Sequence, residues 1–275
     1  MGKETKIGWT ATKRQDGSWH PGSTLNWWIG CTKISPGCKF CYAERQNTYY
    51  KWTDKGSWGK GAPRKLTSER THNSVFTWAK CAFDHKQFHR VFVSSLSDVF
   101  DDEVPDEWRN DLWNALDRAG EIAGGYIEFL ILTKRIENAQ RMFPERWIKD
   151  PDGNLHIRLG ITTENQDTAD ARIPILLEMW PGKNFISAEP LLSYINFKDW
   201  ITKLDWVIVG GESGPQAREM NWGWAKYAWL QCSIYGIPFY MKQSGSALAK
   251  KLGYKSTSGS DPEEWPEHYR VREIP

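Results

Sequence analysis

Over the C-terminal two thirds of the chain, apolar positions gather in short, nearly unbroken runs, each followed by a polar turn and then a stretch with helical spacing. The runs are Arg90–Ser94, Tyr126–Leu132, His156–Ile161, Asn184–Ser187, Asp205–Val209 and Pro238–Met241, with an earlier one at Leu25–Ile29. Runs this continuous, rich in Val, Ile and aromatics, belong to strands buried on both faces, as in a parallel sheet. Between them, Pro105–Ala119 reads as a helix. Pro105 suits the first turn, Asp106 and Glu107 complement the positive N-terminal end, and Gly120 supplies the stop. Trp108, Leu112, Leu116 and Ala119 fall on one face. Asn165–Trp180 and Trp222–Tyr235 predict further helices, the first kinked or interrupted at Pro174.

Six or seven such strands predict an α/β fold, a partial or complete parallel (β/α) barrel, with a doubly wound open sheet as the runner-up. The expectation is a single domain over residues 1–275, with a polar loop or hairpin inserted near 13–24 and a polar tail over 256–275 that wraps the body or moves. The segment Tyr50–Ser68 reads as a second addition, rich in Gly, Lys and Trp and with little periodicity.

Composition narrows the function classes. The chain has 275 residues, a net charge of +2 and 17 tryptophans, so neither a basic nor an acidic excess points to a partner. Five cysteines, three of them crowded together, do not make a disulfide framework. No apolar run is long enough to span a membrane and the first ten residues are polar. A reducing cytoplasm is the expected compartment. Cys81 and Cys232, in helical segments, read as packed free thiols.

The crowded cysteines are Cys31, Cys38 and Cys41, all within eleven residues. Three thiols can ligate three corners of an iron–sulfur cluster and leave one corner open for a substrate or cofactor. A zinc knuckle is the alternative, but it usually has four ligands and no fourth Cys or His lies near. In a βα barrel the residues just after each strand form the working rim. Here these are Ser94, Ser95, Ser97 and Asp98; Thr133, Lys134 and Arg135; Thr162, Thr163, Glu164 and Asn165; Ser187 and Glu189; Gly210 to Gly214; and Lys242, Gln243 and Ser244. The Gly-Gly-Glu-Ser-Gly run at 210–214 reads as a backbone approach to a ligand or as a tight turn. Lys134 and Arg135 read as a holder for carboxylate or phosphate, or as a solvated pair.

Cys38-Lys39-Phe40-Cys41, with an aromatic residue just before the last cysteine, resembles the second half of the cluster motif of the radical S-adenosylmethionine (SAM) superfamily. The first gap departs from it, with six residues between Cys31 and Cys38. A fuller resemblance is to the phage and bacterial Gp37/Gp68-like family. It rests on Ile7-Gly8-Trp9-Thr10, Gly30-Cys31 through Cys41-Tyr42-Ala43-Glu44, and Val93 through Phe100. It continues in Leu132-Thr133-Lys134-Arg135, Glu164-Asn165-Gln166, Glu189-Pro190-Leu191 and Val207 through Gly214. Trp27 stands where that pattern has proline.

The resemblance implies a 4Fe-4S cluster held by Cys31, Cys38 and Cys41, and SAM as cofactor. It implies Phe40 near the adenine, Ser95 or Asp98 at the amino group, and Thr163, Glu164 and Glu189 at the ribose or methionyl part. Glu212 and Lys134 would face substrate as catalytic groups. An external one-electron reductant is implied as partner. A nucleic-acid substrate, such as a modified nucleobase, is suggested by Tyr49-Tyr50-Lys51-Trp52 and Trp58-Gly59-Lys60, where rings lie beside cations; packed rings are the alternative. The rival functions are a metal-stapled nucleic-acid-binding module and an iron–sulfur electron-transfer protein without SAM chemistry.

Overall fold

The computed structural model describes residues 4–53, 56–149 and 156–275. In chain order the strands and helices are β1 (Thr12–Lys13), β2 (Trp19–His20), β3 (Ser23–Leu25), β4 (Trp28–Ile29), α1 (Tyr42–Tyr50), β5 (Lys65–Leu66), α2 (Glu69–His85), β6 (His89–Val93), α3 (Asp106–Ala123) and β7 (Ile127–Thr133). There follow α4 (Ile136–Met142), α5 (Glu145–Lys149), β8 (Ile157–Thr162), α6 (Gln166–Met179), β9 (Lys183–Ala188), β10 (Val207–Gly210), α7 (Trp222–Tyr235), β11 (Phe239–Gln243) and α8 (Ser246–Leu252).

The principal sheet has seven strands in the order β11-β10-β9-β8-β7-β6-β3. The ladders β3–β6, β6–β7, β9–β10 and β10–β11 are parallel. Each strand lies beside its predecessor in sequence, with no reversal of order. Right-handed crossovers then put successive helices on the same face, the arrangement of a parallel β/α barrel and not of a doubly wound sheet. The order ends at β3 and β11 without pairing them, so the barrel is partial. The strand runs are buried throughout: every residue of β6, β8 and β10 is buried, as parallel strands covered on both sides require.

Several expected boundaries shift for physical reasons. The run Leu25–Ile29 is not one strand. β3 ends at Leu25, and Trp28 and Ile29 pair antiparallel with β5 in a separate ribbon. Asn26 makes the break: its Oδ1 accepts from the Leu96 amide at 2.8 Å and its Nδ2 donates to Ser95 Oγ at 3.0 Å. Helix α3 runs past Gly120 and stops at Gly124, whose φ of +55° is the left-handed turn a helix end uses. Gly120 serves close packing instead, since a Cβ there would lie 2.9 Å from the His156 ring. Helix α6 continues through Pro174, which lies on its exposed side. Its N-terminus carries a capping box between Asn165 and Thr168. The polar stretch before β3 is a hairpin, β1 against β2.

Contacts divide the chain into two compact units. The first is Met1–Lys33, Ala43–Leu159 and Pro181–Lys183; the second is Ile34–Tyr42, Gly160–Trp180 and Asn184–Pro275. In the first, Trp113, Phe143 and Trp147 interlock with Phe100, ring centroids 5.0 to 6.1 Å apart. On β7, buried Glu128 binds Arg90 of β6 at 2.7 Å, Arg158 at 3.1 Å and the half-exposed Lys183 at 3.5 Å. In the second unit, Phe185, Trp206 and Trp265 are fully buried. Its C-terminal segment lies along β11: Met241 N donates to Val271 O, Glu273 N to Phe239 O, and Tyr240 bridges Arg272 antiparallel. The tail therefore wraps the body. Cys232 is buried as expected, whereas Cys81 is exposed on α2, 3.6 Å from His85 Nδ1. No helix among the described residues is long and apolar enough to cross a membrane.

Candidate functional site

In the first unit the polar groups collect where β6 and β7 end. Ser94, directly after β6, is buried with φ of +64°, a conformation rarely tolerated by a residue with a side chain. Its Oγ and that of Ser97 are buried and have no partner among the described residues. Asp98 is fully engaged: it accepts from Thr133 Oγ1 at 2.8 Å, Lys134 N at 3.0 Å and Phe100 N at 3.0 Å. It thereby fastens the turn after β6 to the turn after β7. Ser95 exchanges hydrogen bonds with the Asn26 amide.

Arg135 is the centre of this region. It is buried, with Nη1 3.4 Å from Asp98 and 3.4 Å from the Cys31 sulfur, and Nη2 donating to Thr32 O at 2.6 Å. Asp101, 4.0 Å away, is also held by Arg64 at 2.9 Å. Burial opposes the Arg135 charge, but Asp98, Cys31 and Asp101 outweigh it and hold the guanidinium firmly ionised. The Cys31 thiol is pushed up to about 12, first by burial and then by Asp98, with Arg135 pulling the other way. A thiol so placed stays protonated until a metal or cluster displaces the proton.

In the second unit the loop Ile34–Tyr42 is fastened by Glu164. This carboxylate is wholly inaccessible; it accepts from Ser35 Oγ at 2.5 Å and from Arg172 Nη1 at 3.0 Å. Gly37 passes so close that a Cβ would sit 2.5 Å from the Glu164 side chain. Ser35 Oγ is also 3.5 Å from the Cys38 sulfur. Phe40 lies under the Arg218 guanidinium, 5.6 Å from its ring centre, and Arg218 donates to Pro36 O at 2.9 Å. Glu212 is paired: both its oxygens accept from Arg218, at 2.6 and 2.9 Å. Glu189 is likewise paired, with Lys242 Nζ at 2.5 and 2.6 Å. Thr163 and Ser244 carry buried hydroxyls without partners among the described residues.

In both units the carboxylates expected at the cofactor or substrate already hold a cation or a backbone amide, while four neighbouring hydroxyls stand unsatisfied among the described residues. Buried unpaired hydroxyls are costly. Thr163 is the one expected contact residue with that property; Ser94, Ser97 and Ser244 join it. Lys134 is half-buried, its amide on Asp98. Sequence reading missed Ser35, Arg172 and Arg218 as partners. Ser35 lies 129 residues from Glu164; Arg172 and Arg218 lie only eight and six residues from the carboxylates they hold, but no local period marks them. Cys38 and Cys41 are half-buried. Among the described residues no three His, Cys, Asp or Glu side chains are gathered to hold a metal ion.

With a partial parallel β/α barrel and cysteine-bearing loop established, comparison with known proteins gives the family. The chain belongs to the family described as Protein of unknown function (DUF5131), which matches residues 4–266. No curated protein matches it. Among solved structures it is similar to a spore photoproduct lyase mutant, with a TM-score of 0.39 and 12% identity over 66% of this chain. The match spans 54% of that structure, so the chain covers about half its length.

Proposed function

We propose that this protein is a radical SAM enzyme of the Gp37/Gp68-like type, acting on a nucleic-acid base in a reducing cytoplasm. One observation carries the reading: three thiols within eleven residues, in the connection that follows the first strand of a parallel β/α sheet. The donor set suits a cluster with one open iron. Arg135 against the Cys31 sulfur supplies a positive charge that favours thiolate once the proton has left.

Cys31, Cys38 and Cys41 would hold the cluster. Bound cluster and SAM would supply, on reduction by an external one-electron donor, a 5′-deoxyadenosyl radical able to abstract hydrogen from substrate. The chain's own residues do the rest. Asp98 and Arg135 lock the turns after β6 and β7. Glu164 fastens the cysteine loop through Ser35. Arg218, oriented by Glu212, covers one face of Phe40, whose ring is proposed to pack near the adenine.

The test is anaerobic reconstitution with iron and sulfide, reduction in the presence of SAM, and assay for 5′-deoxyadenosine. Product that disappears in Cys38→Ala supports the proposal. Iron content of about four per chain with no SAM cleavage, with or without added oligonucleotides, points to electron transfer instead. Zinc in protein purified without air removes the enzyme reading.

A further inference from the structure

The cations of this chain are unevenly placed. From Arg45 to Lys65 there are six Lys and Arg against a single acid, Asp54, giving this stretch +5 in a chain of net +2, so the remainder sums to −3. Arg64 is buried against Asp101 and Glu103. Arg45, Lys51, Lys60 and Lys65 are exposed.

Within the same stretch three aromatic rings stand in solvent. Tyr49 is 78% exposed, Tyr50 58% and Trp52 36%. Tyr50 and Trp52 are stacked, 5.0 Å apart and 17° from parallel, and Tyr49 meets Tyr50 edge-on at 4.9 Å. Exposure of this size rules out ordinary core packing.

The arrangement is built and not incidental. Lys51, with φ of +52°, reverses the chain at the end of α1 so that Trp52 returns onto Tyr50. Buried Asn47 clamps the turn, its Nδ2 donating to Thr53 Oγ1 at 2.7 Å and its Oδ1 accepting from Thr53 N at 3.1 Å. Lys65 of β5 donates to Trp52 O at 2.8 Å, which brings an ammonium to the edge of the stack.

We infer that Tyr49, Tyr50 and Trp52, with Lys51 and Lys65 beside them, form a binding platform for single-stranded nucleic acid. Bases stack on the ring faces and phosphates meet the ammonium groups. Paired bases are already stacked on one another, so a duplex offers the rings little. The inference deepens the proposed function by naming where such a substrate is held, but it concerns binding alone and requires neither cluster nor SAM.

The experiment is fluorescence anisotropy of the full chain with a labelled mixed-sequence 12-mer, as single-stranded DNA, single-stranded RNA and DNA duplex, at 50 and 200 mM salt. The expected result is binding of single strands in preference to duplex, weakened by salt. Tyr50→Ala and Trp52→Ala should each weaken binding roughly tenfold, while Tyr50→Phe retains it and Lys51→Ala flattens the salt dependence. The DNA and RNA arms identify the natural strand. No binding at 50 mM salt, equal affinity in the Tyr50→Ala/Trp52→Ala protein, or ring-dependent capture by anionic vesicles in place of oligonucleotide would overturn the inference. Loss of 5′-deoxyadenosine formation with oligonucleotide binding intact would instead count against the proposed chemistry.

Discussion

His89 sits at the start of β6 with its Nδ1 3.0 Å from His20 Nε2 and its Nε2 3.1 Å from Ser23 Oγ. Burial, and to a smaller degree His20, pulls its pKa down to about 4. The unfolded chain therefore takes up a proton on this ring near pH 6.5 that the folded chain refuses until about pH 4. Stability is full above pH 6.5 and is lost as pH falls through that window, by about 3 kcal/mol at its end. Glu128 adds to the loss lower down: Arg158 and Arg90 depress its pKa in spite of burial, so its contribution disappears only below the ordinary carboxylate range. Urea unfolding at pH 7.0 and 4.5 should show the first decline, and His89→Gln should remove most of it. An unchanged pH slope in that variant would place the effect elsewhere. Residues of this kind show how far sequence reaches. The hydroxyls after each strand were legible as a set because strand ends recur in register with the apolar runs. Their states were not. Which carboxylate is already held depends on how the loops bring Arg135 to Asp98, Arg172 to Glu164 and Arg218 to Glu212, which no local period marks.

Helix α3 presents the same lesson as an element. A glycine after fifteen helical positions reads as a stop, but Gly120 is an interior residue whose missing side chain makes room for His156. By propensity alone, Gly120→Ala would stabilise the helix by up to about 1 kcal/mol. With a Cβ 2.9 Å from the imidazole, we expect the opposite sign, a loss of about 1–3 kcal/mol from overpacking. In His156→Ala the crowding ring is gone, and the alanine at 120 should then be neutral or stabilising. A double-mutant cycle by urea denaturation reads the sign change; additive effects would mean that helix and ring do not meet. The split of the first expected strand into β3 and β4 is another case. LNWWI alternates too little to show a break, and the cause lies in Asn26 capping Leu96, a contact seventy residues long. The buried strands β6 to β11 were placed within one or two residues because continuous apolar runs leave little freedom.

For the molecule as a whole, the decisive sequence property was the repeated strand–turn–helix rhythm, which implies parallel strands joined by right-handed crossovers but leaves barrel and doubly wound orders both open. It could not reveal where the sheet ends. The order terminates at β11, a parallel edge that would recruit other chains if left open. The polar tail, which carries no strand pattern, supplies the cover. Arg272 fastens it, donating to Met241 O at 3.1 Å, Lys242 O at 3.0 Å and Ser260 O at 2.8 Å. Its guanidinium lies over Trp265 at 4.9 Å and Tyr240 at 5.4 Å. Arg272→Ala removes three charge-assisted hydrogen bonds and two ring contacts at once, and we expect a loss of roughly 3 kcal/mol. Arg272→Lys should recover part of it, because an ammonium reaches fewer of these carbonyls than the planar fork does. If the tail protects the edge, the alanine variant will also self-associate in a concentration-dependent way by sedimentation velocity, under conditions where the parent sedimentation is unchanged. Lower stability without self-association would make the tail a packing element only. Neither effect would mean that Trp265 and the backbone bonds of Val271 and Glu273 hold the tail without Arg272.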